Sequence, residues 1–208
     1  DLFKPETIDR LMGHYQQLLK LVVERPDESL SRLSILTPAE KQQQKQWQQS
    51  AVAYPTHLCI HQLFEAQVER TPDAIAVVYE EAQLSYQALN ERANQLGHYL
   101  RTCGVGTEKR VGICLDKSLE LMVAVLAVLK AGGAYVPLDP NYPAERLRYM
   151  LEDSQVDLVL AHSELVEKLT DSDSIAFCLD ETQQIVSGEA RNNISETVAP
   201  DNLAYIIY

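Results

Sequence analysis

Residues 129–150, LKAGGAYVPLDPNYPAERLRYM, decide the fold class of this chain, because a helix stop, a strand and a new helix start fall within one short stretch. An apolar helix runs into Gly132-Gly133, where a residue without Cβ takes the left-handed backbone that closes a helix C-terminus. Ala134, Tyr135 and Val136 then read as a strand, and Pro137, which has no N–H for a ladder, sets the strand's end or a sheet edge. Asp139-Pro140-Asn141-Tyr142-Pro143 is a stiff turn, with Pro143 suited to the first position of a helix over 144–153. The segment therefore predicts one layer of an α/β protein.

Outward from it the same alternation continues. Ile60, Leu63, Phe64 and Val68 form a helix that stops at Thr71-Pro72, and 74–79 (AIAVVY) is a strand turning at 80–83 into a short strand over 84–86. A helix over 86–102 carries Leu89, Ala93, Leu96 and Leu100 on one face and stops at Gly104. Strand 110–115, helix 118–131, strand 134–136, helix 144–153, strand 156–161, a short helix near 164–169 and strand 175–179 follow, and 180–200 reads as a polar loop. The last six residues, LAYIIY, read as a buried parallel strand. The sum is a mostly parallel sheet flanked by helices on both faces.

The N-terminal quarter differs. Ile8, Leu11, Met12, Tyr15, Leu18, Leu19, Val22 and Val23 recur at three- and four-residue steps, giving an isolated amphipathic helix over about 6–24 that needs a partner. After Arg25-Pro26 the chain becomes linker-like, with a helix start at Thr37-Pro38-Ala39-Glu40 and a Gln-dominated run over 41–50.

Composition narrows the function. The 208 residues carry a formal net charge of −12, which repels phosphate backbones and anionic membranes and argues against nucleic acid or a membrane surface as partner. The longest apolar run, 119–129, falls short of the roughly twenty residues that span a bilayer. Cys59, Cys103, Cys114 and Cys178 are widely spaced and read as reduced thiols of a cytoplasmic protein. The absence of an initiator Met and the final strand suggest a piece of a longer chain.

Candidate chemistry is sparse. Gly132-Gly133 and Gly104-Val105-Gly106 close helices instead of opening them, so neither makes a phosphate cradle. His57 and His61 stand four residues apart but have no third ligand nearby in sequence, and Tyr54-Pro55 breaks the backbone before them. His14, His98 and His162 read as surface or packing residues. Glu80-Glu81, Glu152-Asp153, Asp171 and Asp173 fall in turns or at helix ends, where solvation explains them. No catalytic, cofactor-binding or metal-ligating residue is expected; the chain reads as scaffold.

LKAGGAYVPLD resembles the second core motif of amino-acid adenylation domains in nonribosomal peptide synthetases, Leu-Lys-Ala-Gly-x-Ala-Tyr-Val-Pro-Ile-Asp, with Leu138 in place of Ile. Leu84-Ser85-Tyr86-Gln87-Ala88-Leu89 resembles the first, Leu-Thr/Ser-Tyr-x-Glu-Leu, with Ala88 where Glu is usual; Ser85 then caps a helix without the Glu that completes a capping box. The resemblance implies a condensation-domain helix over residues 1–25, a linker over 26–55 and the N-terminal part of an adenylation domain over 56–208. It implies a parent enzyme that activates an amino acid with ATP and Mg as aminoacyl-AMP and loads it onto the phosphopantetheine of a carrier domain. The residues that hold ATP, Mg and amino acid would then lie beyond Tyr208, and the segment alone would be inactive. Two alternatives remain: an acyl-CoA or aryl-CoA ligase of the same superfamily, and a non-catalytic interaction module built around the helix at 6–24.

Overall fold

The computed structural model describes residues 2–166, 169, 175–195 and 198–208. It divides into two compact units, Asp1–Tyr54 and Pro55–Tyr208.

In the first unit, helix α1 (Pro5–Glu24) starts on a proline and buries no side chain fully. A 3-10 turn, Leu30–Arg32, leads to α2 (Pro38–Gln48), which opens with a complete capping box. Thr37 Oγ1 accepts from the Glu40 N–H at 3.3 Å, and the Thr37 N–H donates to Glu40 Oε2 at 2.8 Å. The first helix keeps its apolar stripe exposed, with Leu11, Met12, Tyr15, Leu19 and Val23 open to solvent, and the Gln-rich run that follows the helix start read at Thr37 continues as helix; among the described residues α1 and α2 meet at one polar contact. His14 Nε2 on α1 lies 2.8 Å from Glu40 Oε1 on α2, and a Cβ on Gly13 would touch Thr37 at 3.7 Å. Gln is a good helix former, so a Gln-rich run behind a strong N-cap continues as helix.

The second unit opens with α3 (Ile60–Arg70) and an antiparallel hairpin of β1 (Ile75–Tyr79) and β2 (Ala82–Ser85). Helix α4 (Tyr86–Thr102) follows, its N-cap Ser85 accepting from the Ala88 N–H at 3.2 Å. The alternating part comprises β3 (Arg110–Cys114), α5 (Leu119–Ala131), β4 (Ala134–Pro137), α6 (Ala144–Ser154), β5 (Leu158–Ala161), α7 (Ser163–Val166), β6 (Ile175–Cys178) and α8 (Leu179–Ser187). Strands β3 to β6 pair in parallel in the order β4-β3-β5-β6. The path steps from β3 to β4 in one direction and then back past β3 to β5. Right-handed crossovers therefore place α5 and α6 on opposite faces. Two cores result. Leu96, Leu100, Val111, Ile113, Val128, Leu160 and Phe177 pack on the α4–α5 side, and Val136, Leu138, Leu147, Met150, Leu151 and Val159 on the α6 side.

Gly132 adopts φ +91° and closes α5, and Gly104 adopts φ +87° just after α4, as the sequence requires. Pro143 stands one position earlier than its reading, as the N-cap of α6. One expectation changes further. The region read as a polar loop from 180 begins as helix α8, whose Leu179 and Val186 pack on the first core. The closing segment 203–208 lies parallel to β4 through a single bridge, Tyr135 with Tyr205, and Leu203, Tyr205, Ile207 and Tyr208 are exposed in this chain. Asp171 and Asp173 lie outside the described residues.

Candidate functional site

Three places in the second unit concentrate polar side chains: a cleft, a buried node and the β4 edge. The cleft, of about 550 Å³, opens where β5 ends and α5 and α8 begin, so it lies at the carboxyl end of the strands. Arg92, Gln95, Glu120, His162, Asp180 and Gln183 line it together with Leu96, Val123, Leu179 and Val186. Asp180 is already engaged. Its carboxylate accepts from the backbone N–H of Ser163 at 3.0 Å and from the Ser163 hydroxyl, and this bonding holds its pKa below the usual carboxylate range.

The buried node joins three helices. Lys130, from the LKAGG motif, has a side chain with no exposed surface; it is ion-paired to Glu65 of α3, and its Nζ lies 6.0 Å from the Phe64 ring centre. Burial lowers the Lys130 pKa, opposed by the Glu65 carboxylate, and burial likewise lowers that of His61 one turn before Glu65. Asn193 Oδ1 accepts from Asn90 Nδ2 at 2.9 Å, from Asn94 Nδ2 at 3.0 Å and from Lys130 Nζ at 3.4 Å.

At the β4 edge, the Tyr135 N–H donates to Ala204 O at 3.1 Å and the Ile206 N–H to Tyr135 O at 3.0 Å. Glu108 Oε1 fixes the approach, accepting from Asn202 Nδ2 at 2.9 Å and from the Leu203 N–H at 3.3 Å, and both bonds lower its pKa. The Tyr208 hydroxyl donates to Asp153 Oδ2 at 2.6 Å; partial burial and that carboxylate push the phenol up to about 12.

The candidates read from the sequence are scattered over these elements. His61 is buried in the node, whereas His57 lies exposed in the turn before α3. Among the described residues no group of three His, Cys, Asp or Glu side chains is placed to hold a metal. His98 Nε2 meets Asn192 O at 3.0 Å, and His162 lines the cleft. Gly132-Gly133 ends α5, presenting a helix C-terminus, and a Cβ on Gly133 would come within 2.9 Å of Val105 Cγ1. Those glycines do not fit a phosphate, because a helix C-terminus offers carbonyls where an anion needs N–H donors. Sequence reasoning passed over Asn90, Asn94 and Gln95, which are buried on α4 although polar. Their spacing was visible, but their partners lie about a hundred residues on.

A family model described as "AMP-binding enzyme" matches residues 64–208. The chain belongs to the AMP-binding enzyme family. The chain is 44% identical over 208 residues, 100% of its length, to tyrocidine synthase 3 of Brevibacillus parabrevis. It is 43% identical, again across 100% of its length, to gramicidin S synthase 2 of Brevibacillus brevis. It spans only 3% of the first synthase and 5% of the second. A crystal structure of the nonribosomal peptide synthetase FmoA3 in its α-methyl-L-serine-AMP-bound form superposes with a TM-score of 0.77 at 28% identity, covering 99% of this chain and 23% of that one. No helix among the described residues is long and apolar enough to cross a membrane.

Proposed function

We propose that these residues belong to a nonribosomal peptide synthetase that activates an amino acid. In that reaction a carboxylate oxygen displaces pyrophosphate from ATP to give aminoacyl-AMP, and a carrier-domain phosphopantetheine thiol then displaces AMP. ATP, with Mg, serves the first step. Residues 1–25 are read as the last helix of a condensation domain, 26–55 as the connection, and 56–208 as the opening part of the adenylation domain. The protein is assigned to the cytoplasm.

The observation that carries this reading is the extent of the match. The family model begins at residue 64, yet the tyrocidine synthase alignment covers 100% of the chain and so takes in the residues before it. A ligase without an upstream domain has no use for that segment, which disfavours the acyl-CoA or aryl-CoA ligase alternative. The interaction-module alternative leaves the α/β layer unexplained.

Within the enzyme, these residues act as framework: α5, β4 and the 203–208 edge hold one another in register, and none of their glycines forms a nucleotide cradle. The test is ATP–pyrophosphate exchange. The native protein carrying these residues is expected to exchange in the presence of a single amino acid, and the 208-residue chain alone to give none. Exchange driven by a fatty or aryl acid, with transfer to coenzyme A, would overturn the substrate class; exchange by the 208-residue chain would overturn the framework role.

A further inference from the structure

Helix α3 is seated by few side chains. Its buried residues are His61 and Val68; Phe64 leans on the small core around Leu84, Leu89 and Ala93 with its ring centre 5.8 Å from that of Tyr86, and Ile60 and Leu63 stay exposed. Charge fixes the helix on α5. Glu65 pairs with Lys130, whose amine also lies 3.4 Å from Asn193 Oδ1 and 6.0 Å from the Phe64 ring centre. An element with few apolar contacts opens at lower free energy than a packed sheet.

His61 is only 7% exposed and stands one turn before Glu65 on the same face of α3. Two groups act on its charge, Glu65 from its own helix and Lys130 from α5. The other neighbours are neutral. α4 brings the amides Asn90 and Asn94 to the node, and the small pocket that His61 lines is completed by Val198, Ala199, Asn202 and the thiol of Cys59, whose pKa burial pushes up. One carboxylate therefore serves two groups able to carry positive charge. Lys130 occupies it while the imidazole is neutral. An imidazolium at position 61 would be a second buried cation without an anion of its own, and a buried charge is costly unless it is paired.

We propose that α3 is a proton-released element: uptake of one proton by His61 unseats it from α4 and α5 while the four-stranded sheet stays formed. Burial, opposed by Glu65 and reinforced by Lys130, holds the imidazole below its ordinary 6.5, so the seated helix favours the neutral ring. The released helix takes up the proton more readily, so the stability of the seat is complete above about 6.5 and falls as the pH drops below it. Residues 49–58 contain no helix or strand, and beyond α3 the chain is next held where Pro72 O accepts from the Gln87 N–H at 2.9 Å. Release of α3 therefore lengthens the free connection between the two units from 49–58 to 49–71.

Hydrogen exchange in the native protein carrying these residues, read by mass spectrometry on peptides from α3, β3 and β5 and corrected for the intrinsic pH dependence of exchange, measures the release. Lowering the pH from about 7.5 to about 5.5 is expected to raise α3 exchange by up to roughly tenfold and to leave β3 and β5 unchanged. His61→Gln, which cannot take up the proton, is expected to remove the response. Lys130→Met is expected to remove it as well, because Glu65 is then free to pair with the imidazolium. An equal rise in α3 and the two strands overturns α3 as a separately released element, and α3 exchange that ignores pH overturns the proton's role. A response that survives in His61→Gln overturns His61 as the group, and one that survives in Lys130→Met overturns the competition for Glu65. The wild-type comparison of α3 with the strands decides the release whether or not both variants fold.

Discussion

At the scale of single residues, Gly133 and Gly106 both flank the turn into the sheet and are opposite in tolerance. A Cβ on Gly133 would meet Val105 Cγ1 at 2.9 Å and Lys109 O at 3.2 Å, whereas nothing lies within 4 Å of one on Gly106. Gly133→Ala is expected to cost about 1–3 kcal/mol in urea unfolding through overpacking. Gly106→Ala is expected to be neutral or to stabilise by up to about 1 kcal/mol through the unfolded chain. Glu40 gives a pH prediction. Bonds from the Thr37 backbone and side chain, and then from His14, hold its pKa down from the ordinary 4.5 to about 2. A depressed carboxylate stabilises the folded form above its unfolded pKa and loses that contribution as pH falls through the folded one. The α1–α2 unit is therefore expected to lose helix content between about pH 4.5 and 2, and Glu40→Gln to flatten that response in circular dichroism. A Thr-Pro-x-Glu start is visible in sequence; the His14 that joins it from 26 residues away is not.

At the scale of elements, helices were the more legible part, because apolar spacing and stop signals are local. Leu89, Ala93, Leu96 and Leu100 are all buried, as their shared face requires. Helix α8 escaped because only Leu179 and Val186 of it pack on the core while Ile185 is exposed, too few apolar positions to show a period. Burial of α4's polar face depends on residues 187–193, and burial of Lys130 depends on Glu65; neither partner is local. Lys130→Ala is expected to cost about 3–5 kcal/mol, since it strands the Glu65 carboxylate. In a double-mutant cycle with Glu65→Leu, urea titration is expected to show Lys130→Met costing much less once the carboxylate is gone, with a coupling of about 1–3 kcal/mol.

At the scale of the whole molecule, two units joined at Tyr54-Pro55 predict a proteolytic pattern. Residues 49–54 are exposed and lack regular structure, while α2 protects 38–48. Elastase is expected to cut first after Ala51, Val52 or Ala53 and to leave the second unit intact, as mass spectrometry would show; first cleavage inside α2 would contradict the helix. The amino-acid sequence by itself determined the α/β class, the strand–helix order, the helix stops at Gly104 and Gly132 and the family resemblance of LKAGGAYVPLD, because backbone preferences and apolar periods act over a few residues. Only the tertiary structure decided that the Gln-rich run is helix α2, that three amides and a lysine on α4 and α5 meet residues 187–193, up to about a hundred residues away, and that α8 packs on the core. Burial of a polar group or of a strand is a property of its neighbours in space, and those are set by chain closure over distances that no local pattern records.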